Sequence, residues 1–148
     1  QSQVGYSYRA VVSYIDSHGT REVLYTSPSE TIDNLDDPVQ GEVTIIGEPK
    51  EGVTLRALSN SLSDEDGIAS ISISWETSKD GRNWIGVNSL SGPVLSLGQS
   101  LVGSQVRARV AVVDNFGIET NLYSQATRTV ENVNNKPSGR IVIRRVGQ

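Results

Sequence analysis

Apolar and polar residues alternate at period two along most of this chain, in short stretches bounded by Gly, Asn, Asp and Pro. That pattern predicts strands, and helical spacing is nearly missing. Val43–Ile46 reads as one strand and Val53–Leu58 as the next, with Val53, Leu55 and Ala57 on one face. Ile71–Thr77 places Ile71, Ile73 and Trp75 on one side and Ser72, Ser74 and Glu76 on the other. Lys79-Asp80-Gly81-Arg82 predicts a hairpin turn, and Asn83–Val87 the returning strand. Val94–Leu97 is a short strand, and Val106–Val113 is long and strongly alternating. Asp114-Asn115-Phe116-Gly117 then turns the chain into a last strand over Leu122–Val130. About seven strands at this spacing predict an all-β fold, an antiparallel two-sheet sandwich. Trp75, among apolar strand neighbours, is expected in the core. Trp84, after a turn, is expected at the rim or on the surface.

The same pattern occurs twice. Val4-Gly5 matches Val102-Gly103, and Arg9-Ala10 matches Arg107-Ala108, at a fixed offset of 98. Val12 falls on Val110, Asp16 on Asp114, Gly19 on Gly117 and Leu24-Tyr25 on Leu122-Tyr123. Thr31, Asn34, Gly41 and Ile45 find identical mates at Thr129, Asn132, Gly139 and Ile143 without a gap. A single Gly or Val could align by chance; two strands, a turn and a linker in one register could not readily do so. The period is that of one immunoglobulin-size sandwich. A complete repeat is expected over 37–135. Residues 1–36 match the closing hairpin of a preceding repeat, and 136–148 the first strand of a following one. The opening at Gln1, in mid-pattern, reads as a cut through an array.

Composition narrows the function classes. The 148 residues are 36% hydrophobic and 20% charged, enough to bury a core. The net charge of −4 disfavours a nucleic-acid surface, and no long apolar run suggests membrane insertion. Cys is absent, which removes disulfides, thiolate metal sites and thiol nucleophiles. There is one His, so acid–base and imidazole–metal chemistry is hard to assemble. No nucleophile elbow or phosphate loop occurs, and the chain is expected not to be an enzyme.

Several ordered motifs resemble a known group. Gly41-Glu-Val-Thr-Ile-Ile-Gly47, Glu51-Gly-Val-Thr-Leu55 and Leu62-Ser-Asp-Glu-Asp-Gly67 are similar to the Ig-like or cadherin-like repeats of very large bacterial surface proteins, the RTX-type adhesins. Ile73-Ser-Trp75, Asp80-Gly-Arg-Asn-Trp84 and the run from Val102 to Asp114 continue the likeness. The resemblance implies a non-catalytic spacer in an extracellular or cell-surface stalk that extends a binding tip. Similar modules occur in bacteriophage fibres, so a virion fibre is the alternative setting. Neighbouring repeats are the expected partners. A carbohydrate- or protein-binding Ig-like module is the competing reading, with a glycan or host surface protein as partner and Trp84 and 88–93 as its first suspects.

Two acidic clusters are candidates for calcium, which needs several hard oxygens on tight turns. Asp64-Glu65-Asp66-Gly67 offers two carboxylates around a turn, although EF-hand spacing would put Leu62 and Ile73 at ligand positions. The linker Asp33-Asn34-Leu35-Asp36-Asp37-Pro38 is similar to cadherin linkers, in which calcium stiffens the joint between domains. The candidate ligands are Asp36, Asp37, Asp64 and Asp66. The alternative for both clusters is a polar turn whose Asp and Asn satisfy local backbone. The matching linker Glu131–Pro137 carries Asn134 and Asn135 in place of Asp36 and Asp37. Asp16 and Asp114 are expected chiefly to cap turns, with a calcium role at the pole facing the next repeat as the alternative; His18 is expected to be exposed, and Arg9, Arg107 and Arg109 to lie on an outer strand face. The end segments, with Val12, Tyr14, Val23 and Tyr25 uncovered, are expected to associate with each other or between copies.

Overall fold

The computed structural model describes residues 1–145, apart from the side chains of residues 88–90. Among the described residues, nine strands form three antiparallel sheets. Strands β1 (Val11–Ile15) and β2 (Arg21–Tyr25) make a free-standing hairpin. A three-stranded sheet has the order β3 (Thr44–Ile46), β4 (Thr54–Leu58), β7 (Val94–Ser96). A four-stranded sheet has the order β6 (Ile85–Ser91), β5 (Ile68–Ser78), β8 (Gln105–Asp114), β9 (Glu119–Tyr123).

The core lies between the last two sheets. Leu55 and Ala57 on β4 and Leu95 on β7 meet Trp75 on β5 and Val106, Ala108, Val110 and Val112 on β8. The β8 sequence alternates, and so does its burial: every second residue from Val106 to Asp114 is buried. Trp75 is 1% exposed and stands opposite Ala108, whose small side chain leaves room for the indole. Its Nε1–H donates to the Gly92 carbonyl at 3.0 Å, so the ring carries no unmet polar group into the core.

Three elements differ by more than a residue from their predicted extents. β5 runs beyond Ile71–Thr77 at both ends because β8 supplies partners along its length. β6 starts later than Asn83 because the Asp80 carboxylate gathers the N–H groups of Arg82 and Asn83 and the Asn83 side-chain amide into the turn. The final strand ends at Tyr123, where side-chain hydroxyls enter the ladder. Ser124 Oγ accepts from Ala108 N–H and Thr127 Oγ1 from Val106 N–H, so the chain follows β8 irregularly as far as Val130.

The β1–β2 hairpin repeats this construction bond for bond. Thr26 Oγ1 accepts from Ala10 N–H and Ser29 Oγ from Tyr8 N–H, each 98 residues before its counterpart. The Asp16 carboxylate takes the N–H groups of His18 and Thr20, as Asp114 takes those of Phe116 and Ile118. Gly19 and Gly117 close the two turns at φ +82° and +88°, values that favour glycine. Arg9 stacks on Tyr25 at 4.4 Å and Arg107 on Tyr123 at 4.3 Å. One difference is burial. Val110 and Val112 are covered, whereas their counterparts Val12 and Tyr14 are 53% and 48% exposed, because no second sheet of the described residues lies against the hairpin. The segment 139–145 has no strand partner among the described residues, and Ile141 and Ile143 are exposed.

Candidate functional site

Three carboxylates from distant parts of the sequence meet at one pole of the sandwich. Asp36 comes from the segment joining β2 to β3, Asp66 from the loop between β4 and β5, and Asp114 from the end of β8. One oxygen from each lies within 4.8 Å of the others. Oxygens sharing one calcium ion at 2.3–2.6 Å lie no more than about 5 Å apart, so the spacing suits such an ion.

Local hydrogen bonds aim Asp66 and Asp114. In the β4–β5 loop, Asp64 Oδ1 accepts from Asp66 N–H at 2.8 Å, and Gly67 N–H returns to the Asp64 carbonyl. Gly67 sits at φ +81°, and a Cβ there would run into the Asn115 side-chain amide. Asp66 is 4% exposed; its Oδ2 accepts from Asp37 N–H at 2.9 Å, which ties the linker to the loop. Asp114 is 3% exposed and spends Oδ1 on two turn N–H groups. Asp66 Oδ1 and Asp114 Oδ2 are buried and accept no hydrogen bond. Asn34 Oδ1, two residues before Asp36, is also buried without a partner. Burying a carboxylate oxygen beside other carboxylates is costly unless a cation or donor meets it.

The electrostatics point the same way. Desolvation and then the charges of Asp114, Asp66, Asp64 and Asp37 push the Asp36 carboxyl above its usual range. These charges are all negative, so the pole favours a positive guest.

Of the four sequence candidates, Asp36 and Asp66 converge. Asp64 and Asp37 shape the site: Asp64 holds the loop, and Asp37 donates its N–H to Asp66 while its carboxylate accepts from Gln1 Nε2. The third converging carboxylate is Asp114, for which capping was the expected role. It caps the turn with Oδ1 and joins the cluster, while its Oδ2 is buried without a donor. The sequence marks it as a turn residue, in Asp114-Asn-Phe-Gly117, but only the pairing of β5 with β8 brings it to Asp66.

The other candidates have ordinary roles. His18 is exposed in the β1–β2 turn, with Nδ1 3.4 Å from Ser17 Oγ. Arg107 forms an ion pair with Glu76 at 2.7 Å and lies between the rings of Trp84 and Tyr123, 4.3 Å from each centroid. Arg109 donates to Asn121. No described helix is long and apolar enough to cross a membrane. Compared with protein-family models, curated proteins and solved structures, the chain found no match.

Proposed function

We propose that this chain is part of a tandem array of Ig-like sandwiches, with 37–135 a complete repeat and its flanks belonging to the neighbours. Each sandwich serves as a non-catalytic spacer in an extracellular adhesin or fibre, at a bacterial surface or on a virion. The observation that carries this reading is the recurrence of one hydrogen-bond skeleton at an offset of 98 residues. The uncovered face of the β1–β2 hairpin fits it, since the matching face of β8–β9 is covered by a second sheet.

At the joint, calcium is the fitting occupant of the acidic pole. Asp36 supplies the linker ligand and Asp66 and Asp114 the sandwich ligands, so a bound ion would fix the linker's direction. The competing glycan-binding reading is weakened by Trp84, whose ring carries Arg107. Small-angle scattering of a stretch with both neighbouring repeats whole tests the spacer. An elongated particle that straightens with calcium is expected; a compact globule refutes it.

A further inference from the structure

The pole opposite the carboxylates holds a different device. After β3 the chain leaves the three-stranded sheet and runs beside the end of the last strand. Glu51 N–H donates to the Glu131 carbonyl at 2.9 Å, and Glu131 N–H donates to the Pro49 carbonyl at 2.9 Å. The bridge between Lys50 and Glu131 is parallel. Glu51 extends it with its side chain: Oε2 accepts from Val133 N–H at 2.9 Å and Oε1 from Asn135 Nδ2 at 3.5 Å. Beside it, Pro49 is buried and Val130 is 1% exposed. The turn that follows β3 and the segment by which the chain leaves the sandwich are thus joined directly.

We propose that Pro49–Glu51 and Glu131–Asn135 form a shear clamp that carries tension through the sandwich and holds the outgoing linker in line. This rests on the reading of the chain as one unit of an array pulled end to end. Chain entering at Gln40 runs toward Glu51, and chain leaving runs the same way through Glu131. Pulling the ends apart slides these parallel segments past each other, so their bonds are loaded together. The β1–β2 hairpin is loaded differently. Its ends are adjacent, closed by Gly5 N–H to the Ile32 carbonyl at 2.8 Å, so its bonds open one after another. Glu51 is the positioning residue of the clamp, because one carboxylate ties the turn before β4 to two residues of the linker.

Forced unfolding of the full chain at constant load tests this, since such unfolding reports the barrier rather than the equilibrium. Held by its two ends, the chain is expected to show an early hairpin opening and a later sandwich event. Glu51→Ala should speed the later event about tenfold, the weight of one charge-assisted hydrogen bond. Glu51→Gln, which keeps an acceptor, should speed it less. Held instead at Ser63 and Phe116, which share the other pole, the same variants should unfold at the wild-type rate. An equal effect in both pulling directions, or none when pulled by the ends, overturns the clamp. Scattering alone tests elongation and force alone tests the clamp, so the two readings can fail separately.

Discussion

Replacing Asp114 by Asn should change stability in opposite directions with and without calcium. The Asn Oδ1 can still take the Phe116 and Ile118 N–H groups, so the β8–β9 turn is kept. What changes is Oδ2, which is buried without a donor beside Asp66 in the cluster. Two full charges within 4.8 Å of each other repel by about 3.5 kcal/mol or more at an effective dielectric constant of ~20. The amide that replaces Oδ2 also offers Asp66 Oδ1 a donor. In chelator, Asp114→Asn should therefore stabilise the sandwich, by roughly 1–3 kcal/mol after relaxation. Wild-type protein at about 100 times the calcium Kd should gain roughly 2.7 kcal/mol, moving its melting midpoint up by about 5–15 °C. The variant should lose most of that gain, so its advantage reverses. The assay is thermal unfolding at matched ionic strength, with calcium or chelator. A wild-type midpoint indifferent to millimolar calcium would remove the cation from the proposal. An Asp114→Asn variant destabilised equally in both conditions would show that the carboxylate acts only as a turn cap.

Other outcomes follow from the same geometry. Leu95→Ala empties a fully buried position between the two sheets and should cost about 2–5 kcal/mol in urea unfolding; a loss under 1 kcal/mol would mean the core is not packed there. Hydrogen bonds from Asn83 and Arg82 N–H, Asn83 Nδ2 and Ser78 Oγ hold the Asp80 carboxyl well below its usual value. A depressed carboxyl contributes stability that is full above its unfolded value of 3.8 and is lost as pH falls below it. Asp80→Asn should flatten the acid limb of a stability–pH curve below pH ~4, and an unchanged limb counts against this account. The uncovered hairpin should drive self-association of the chain. Val12→Lys with Leu24→Glu should lower the apparent mass in sedimentation at high concentration, and wild-type protein that is monomeric throughout contradicts it.

The strands of the sandwich were legible because their cause is local. Val106–Val113 alternates in sequence, and a strand turns successive side chains to opposite faces, so its buried residues can be read off directly. Trp75 was legible as core for the same reason, and Gly81 and Gly117 as turns because few residues accept positive φ. The limits of β6 and β9 were not, since one depends on how many donors Asp80 gathers and the other on where Ser124 and Thr127 insert hydroxyls into the ladder.

The sequence by itself determined the period of 98, the alternating faces and the acidic character of the loop and linker. Each follows from side-chain chemistry over a few residues or from comparison of the chain with itself. Only the tertiary structure decided which loops share a pole. Asp114 reaches Asp66 because β5 and β8 are neighbours in register, with Ile68 opposite Asp114. Asp36 joins them because Asp37 N–H is tied to Asp66. Glu51 meets Val133 because the chain changes sheets after β3 and runs beside the last strand. Sheet order sets such meetings, and sheet order is settled by how all the strands bury their faces together.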